Sequence, residues 1–405
     1  MTAPEIGSAP HSAAPPHRHF DPRVWLLALG TFAVGTDNLV IAGILPMLAH
    51  DLGVGLDAAG RLVSAYALAY GLGSPILAAV TGRWRRERTV IWAIGGFAVA
   101  NLLCAVAPNY TILFISRIVA GLAAAVYSPG SYALAIALSS PKRRGRALSA
   151  VMFGMSTSTV IGVPLGTVIG HQLGWHATFL FIAALSAVAM VALLQARIKS
   201  PDPSLGAATS VAARLAPLTR PVILLALLPN LIWGIGSMSV FTYIAPILGT
   251  HFDRQTIVEL LLVSGLGGLV GGFAGGRLAD RFGSVRPLLV CFGIVAVNFT
   301  IWGFDNASLV ASAIAMFIWP LGGWSMGAPQ QSRIVRLDPG SAVVTLAINN
   351  ATYYLGSSMG AALGGLLIGI MAPVDLLFAG AGFALAGIGA LGLSVWAVRR
   401  WRPAA

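Results

Sequence analysis

Charge is scarce in this chain: of 405 residues only 9% are Asp, Glu, Lys or Arg, against roughly 25% in an ordinary soluble domain. A water-soluble globule of this length needs far more charged surface, so most of the chain must be solvated by hydrocarbon. Cysteine is scarcer still. Cys104 and Cys291 are the two present, each inside an apolar run where it behaves as a small apolar residue, which excludes a disulfide framework and a zinc site of the usual spacing. No Walker-type phosphate loop, metal-ligand spacing or nucleophile triad is readable, so an enzyme, a resident metal and a nucleotide-driven pump are not expected.

What is abundant is apolar: 57% of the residues are drawn from AVILMFWYC. They gather into twelve runs, each near the ~20 residues that cross a bilayer. The approximate limits are 24–48, 60–81, 89–108, 111–136, 147–170, 177–196, 221–248, 257–276, 287–304, 307–331, 341–371 and 376–398. The expected fold is therefore an all-α integral membrane protein of twelve transmembrane helices. Segment 1–23, rich in Pro, His and Ala and without an apolar core, reads as a cytoplasmic tail without fixed structure and not as a cleaved signal.

The net charge of +12 invites a nucleic-acid reading. The placement of the charges argues against it. All but three of the 25 basic residues fall in alternate connecting segments and the two tails, the exceptions being Arg61, Arg117 and Arg254. The positive-inside rule accounts for that bias and puts both termini in the cytoplasm, with a bacterial inner membrane as the expected location.

The sequence also repeats. Ala78-Ala79-Val80-Thr81-Gly82-Arg83-Trp84-Arg85 lies 198 residues before Gly276-Arg277-Leu278-Ala279-Asp280-Arg281-Phe282-Gly283. Gly162, Gly166 and Gly170 recur as Gly356, Gly360 and Gly364 at an offset of 194. Two pseudo-symmetric bundles of six helices, 24–196 and 221–398, follow, joined by a cytoplasmic linker over 197–220 that holds Pro201 and Pro203, with a short cytoplasmic tail at 399–405.

These motifs carry a family resemblance. The stretch Gly276 to Gly283, with Asp280 and Arg281, looks like the loop signature of the major facilitator superfamily, whose members are built from two such halves. Arg117-Ile118-Val119-Ala120-Gly121 resembles the family's arginine-glycine motif. Gly154, followed by Gly162-Val163-Pro164-Leu165-Gly166, resembles the glycine-proline motif of its antiporters. Gly35-Thr36-Asp37-Asn38 leading to Leu45-Pro46 is similar to the drug-efflux and sugar-efflux branch of twelve-span drug:proton antiporters. The first-half loop departs from the pattern, with Gly82 where the family has Asp and Ala78 and Arg85 where it has glycines. The resemblance thus implies an inner clamp that keeps its acid, Asp280, in one half only.

Among residues that can do chemistry, Asp37 stands first. A carboxylate near the middle of a span costs about 2.5–3.5 kcal/mol on insertion scales and marks a functional site by default. Alternating between water and a cationic partner, it can take up and release a proton; the plainer role is a hydrogen bond to a neighbouring helix. Arg117 is its natural partner, at a depth within roughly 7–8 Å of it, though Arg117 bonding only backbone carbonyls would brace the bundle. The glycine ladders let helices pack and slide closely, and Pro164 should bend span 5.

Polar and aromatic residues sketch a substrate cavity: Asn38, Tyr66 and Tyr70 from the first half, and Asn230, Trp233, Phe241, Asn349, Asn350, Tyr353 and Tyr354 from the second. Each has a plainer use as helix glue. Trp319, Trp324, Trp396 and Trp401 read as interfacial belt residues. Glu259, near the outer end of span 8, is a weaker protonatable candidate, and His171 and His176 read as ordinary interfacial histidines. The expectation is a monomeric secondary transporter that exports small lipophilic or partly polar molecules, drug-like or sugar-like, in exchange for protons. It needs no cofactor beyond the proton gradient and binds no nucleic acid. An importer or uncoupled facilitator is the alternative; a membrane sensor finds little support.

Overall fold

A computed structural model describes residues 21–82, 84–140, 143–198 and 216–401. Most of the two expected tails, at 1–20 and 402–405, Arg83, and most of the expected linker lie outside the described residues. Within them the chain is helical: α1 Val24–Asp51, α2 Leu56–Thr81, α3 Arg86–Ala105, α4 Tyr110–Ala137, α5 Arg144–Thr157, α6 Val163–Leu173 and α7 Trp175–Gln195 build one half. The other half is α8 Pro221–Phe241, α9 Ile244–Leu248, α10 Arg254–Phe282, α11 Val285–Phe304, α12 Leu309–Ser325, α13 Gly327–Leu337, α14 Ala342–Ile368 and α15 Leu376–Trp401. Eleven helices or broken helices among the described residues are long and apolar enough to cross a membrane. The 27-residue α14 supplies the twelfth crossing.

Local chemistry sets where helices begin and end. The side chains of Asn109, Asp253 and Ser308 cap α4, α10 and α12 by accepting from the N–H of Ile112, Thr256 and Ala311, each satisfying one of the orphan donors of a first turn. The Gly276–Gly283 motif, read from the sequence as a loop, is helical through Phe282. Gly283 stops it, at φ +74°, a left-handed conformation that glycine adopts without strain. Span 5 does more than bend. Residues Ser158–Gly162 form a π turn between α5 and α6, with the Val163 N–H bonding the Ser158 carbonyl. Pro164, having no N–H to give, leaves the ladder short of a donor, and the widened turn absorbs the mismatch.

Helix α1 is buried over most of its length and packs against α2, α4, α5, α6 and α7 of the first half. The glycine ladders seat neighbours within each half: a methyl added to Gly154, Gly162 or Gly166 would collide with α1 at Ala28, Thr36 or Val40. Likewise, Gly356 and Gly360 lie against the α8 carbonyls of Leu231 and Ile235. These contacts lie within each half. The halves meet through α2 against α14 and through the π turn against Gly265 of α10.

Candidate functional site

Asp37 sits midway along α1, and its carboxylate Oδ1 accepts from Arg117 Nη1 of α4 at 2.6 Å. Their side chains are 0% and 1% exposed. At that depth an ion pair is worth far more than in water, and removing one partner strands the other. The pair is not saturated. Asp37 Oδ2 and Arg117 Nε have no hydrogen-bond partner among the described residues. Around them the wall is aromatic: the Tyr66 ring lies 4.4 Å from the guanidinium carbon, and that of Phe179 5.8 Å. Gly121 is one turn beyond Arg117 on α4. It packs against the Tyr66 carbonyl so closely that any side chain there would push α2 away. Cys104 of α3 faces the same pair.

Tyr70, one turn along α2 from Tyr66, stacks on Tyr354 of α14 with ring centroids 3.7 Å apart. Tyr353, edge-on to Tyr354 at 5.7 Å, and the exposed Asn350, beside Tyr70, complete this seam between the halves. Asn38, half-buried, follows Asp37 on α1. The remaining cavity candidates sit apart from the ion pair, inside the second half. Asn230 Nδ2 donates to the Asn349 carbonyl at 2.7 Å, and Gln330 Nε2 donates to the Ala226 carbonyl at 2.8 Å and to Asn349 Oδ1 at 3.3 Å. Trp233 and Phe241 meet Phe292 and Trp319 edge to face. Trp319 is therefore no belt residue: it is 2% exposed and packed between Phe241 and Phe299. Trp324 and Trp396 are exposed on the apolar exterior.

Of the weaker candidates, Glu259 is exposed and accepts from Gln255 at 3.3 Å. His171 lies 3.2 Å from the Gly43 carbonyl, and His176 stacks on Trp175. Among the described residues no three His, Cys, Asp or Glu side chains are placed to hold a metal ion. Asp280 and Arg281 are exposed.

Three features escaped the sequence reading. Glu87, buried in the first turn of α3, is bonded by Arg85 at 2.6 Å; an acid five residues beyond Gly82 was the available signal. Arg333, counted among the cytoplasmic charges, is 5% exposed in α13 and bonds Ser394 Oγ at 2.5 Å. The phenol of Tyr243 reaches across the face opposite the chain ends to Gly60 of α2 while bonding the Ala361 carbonyl at 2.8 Å. Long-range contacts of that kind leave no local pattern.

Comparison with known proteins adds family and fold. The family model described as Major Facilitator Superfamily matches residues 27–361. The inner membrane transport protein YdhP of Escherichia coli K12 is 32% identical over 349 residues, covering 84% of this chain and 87% of that protein. A protein named for chloramphenicol resistance from Streptomyces lividans is 30% identical over 349 residues, 83% and 86% of the two chains. In three dimensions, a bacterial homolog of the human lysosomal transporter Spinster, solved inward-facing and unoccupied, superposes with a TM-score of 0.76. It is 16% identical, and the match covers 95% of this chain and 100% of that one.

Proposed function

Because this chain belongs to the major facilitator superfamily, we propose that it exports small lipophilic or partly polar organic molecules in exchange for protons, with Asp37 as the proton carrier and Arg117 as its counter-charge. One observation carries the reading: a fully buried carboxylate is bonded through one oxygen to a fully buried guanidinium while its other oxygen has no partner among the described residues. A structural ion pair is stable when every oxygen and N–H is satisfied. One with a free acceptor is ready to take a proton. Protonation from outside weakens the hold on Arg117 or on bound substrate, and release to the cytoplasm resets it. The different affinities of two conformers for proton and substrate supply the coupling.

The contacts between the halves support a conformer closed at the face opposite the chain ends. They run from the Tyr70–Tyr354 stack, through Ser358 Oγ donating to the Ser64 carbonyl at 2.9 Å, to Tyr243 over Gly60 and Gly365 against Asp57. With the basic segments in the cytoplasm, that closed face is the outer one, and the membrane is a bacterial inner membrane. The name of the Streptomyces relative supports a drug-like cargo. Efflux of chloramphenicol and other small lipophilic compounds from vesicles, with and without a pH gradient, tests the proposal. Wild type should follow the gradient and Asp37→Asn should not; transport by Asp37→Asn that still tracks the gradient refutes the assignment.

A further inference from the structure

Proton uptake at Asp37 creates an electrostatic difficulty. Once the carboxylate is neutral, Arg117 is a lone cation in a site with almost no water access, and an isolated buried charge is costly. Some other group must hold it, or the guanidinium leaves the site and the pair cannot re-form. Among the described residues the ionisable groups facing Asp37 are Arg117 from α4, Tyr66 from α2 and Cys104 from α3. None of the other two is an acid that could take over at neutral pH. Tyr66, though, presents its ring face to the guanidinium at 4.4 Å, is itself fully buried, and has a hydroxyl with no hydrogen-bond partner among the described residues.

We propose that Tyr66 is the standby partner of Arg117, a positioning residue whose π face holds the guanidinium during the interval when Asp37 carries the proton. The ring discriminates between the two protonation states. Facing a close ion pair, its negative face attracts the guanidinium but repels the carboxylate, and the two effects largely offset. Facing Arg117 beside a neutral carboxyl, it keeps the attraction alone, and a desolvated cation–π contact is among the strongest of its kind. Tyr66 thereby favours the protonated state. The backbone position of the ring is fixed by Gly121 against the Tyr66 carbonyl, and Tyr70 on the same helix face stacks on Tyr354 of the other half at 3.7 Å. A shift of Arg117 toward the ring is thus felt directly at the seam that separates when the halves rock.

This inference rests on Asp37 being the proton carrier, and its test separates the two. The purified full chain in lipid vesicles is titrated by infrared spectroscopy, following the carbonyl band of the protonated Asp37 carboxyl, assigned by its loss in Asp37→Asn. Replacing the ring removes more stability from the protonated state than from the ion pair. The Asp37 midpoint should therefore move to lower pH by about one unit in Tyr66→Leu. Tyr66→Phe, which keeps the π face and loses the hydroxyl, should hold the wild-type midpoint. Tyr66→Met, closer in volume, carries the same test if the leucine variant does not fold. An unmoved midpoint in the leucine or methionine variant overturns the role of Tyr66 and leaves the carrier standing. A shift of equal size in Tyr66→Phe overturns it too, because it assigns the effect to the hydroxyl. A carboxyl that never titrates overturns both readings.

Discussion

The two halves share a scaffold and differ in what fills it. A shift of 194 to 198 residues carries Asp37 to the neighbourhood of Trp233 and Arg117 to the stretch Ala311 to Ala315, which holds no charge. Where the first half has an ion pair, the second has rings: Trp233 on Phe292 at 6.2 Å, Phe241 on Trp319 at 5.9 Å and Phe299 on Trp319 at 5.0 Å. Among the described residues of these two clusters, only the first holds a carboxylate. The second is a cluster of packed rings. At the face bearing the chain ends both halves bury an acid against an arginine, Glu87 with Arg85 and Asp338 with Arg220, and the second half in addition leaves Asp280 exposed. Glu87, five residues beyond Gly82, is bonded by Arg85 of its own connection, whereas Asp280 lies at the exposed last turn of α10.

The sharpest way to break this comparison is to delete one element from each core. Arg117→Leu strands the Asp37 carboxylate, at a cost of about 3–5 kcal/mol. Trp319→Ala opens a cavity among the rings, at a similar cost of about 3–5 kcal/mol. The remedies differ. Adding Asp37→Asn to Arg117→Leu removes the stranded charge and should restore most of the lost thermal stability, although proton coupling stays absent. Added to Trp319→Ala, the same change strands Arg117 and should lower thermal stability further. Thermal unfolding of the four purified variants checks this, and equal rescue of both would erase the distinction between an ionic and an aromatic core.

How much of this was legible in the sequence follows from the same physics. Hydrocarbon penalises every charge and every unpaired backbone group, so the spans and the twofold repeat stand out. Asp37 and Arg117 stand out for the same reason. Residues that cost nothing to bury leave no such mark. Tyr66 and Trp233 look alike as aromatic residues within spans, yet one faces a guanidinium and the other a phenylalanine. Trp319 was misplaced because tryptophan is common both in interfacial belts and in packed cores, and only its neighbours decide. The helix of the Gly276–Gly283 motif was hidden by its charges, which suit a water-exposed last turn as well as a loop.

A smaller effect sharpens the comparison at the face opposite the chain ends. Each half offers a glycine to the same phenol: a methyl at Gly60 would collide with Tyr243 Oη, and one at Gly365 would lie 2.6 Å from it. Gly60 belongs to the half without the tyrosine, so Gly60→Ala obstructs closure between the halves, where overpacking costs about 1–3 kcal/mol. Gly365→Ala crowds the phenol from its own half. The conformer closed at this face should therefore lose population most in Gly60→Ala, with recovery in Gly60→Ala/Tyr243→Ala, which removes the ring carbons as well as the hydroxyl from the Gly60 position. Labelling of a cysteine introduced on the outer part of α1 reads it, and the native Cys104 and Cys291 are buried and give little background. Unchanged labelling in Gly60→Ala would remove Tyr243 from the gate.

The smallest effect separates two helix caps. Asn109 of the first half and Asp253 of the second each accept from an N–H three residues on, at 3.0 and 2.9 Å. Asn109→Ala should cost about 1 kcal/mol at any pH. Asp253 differs because it titrates: bonding by Thr256, through its side chain and then its backbone N–H, holds the carboxyl below its usual value. A carboxyl whose value is depressed in the folded state stabilises above its unfolded value, near pH 4, and loses that contribution as the pH falls through the folded value. The Tm penalty of Asp253→Ala should accordingly be present at neutral pH and fade in acid, while that of Asn109→Ala persists. Parallel penalties across the range would mean that the Asp253 bond works by geometry alone and that its charge contributes nothing to the start of α10.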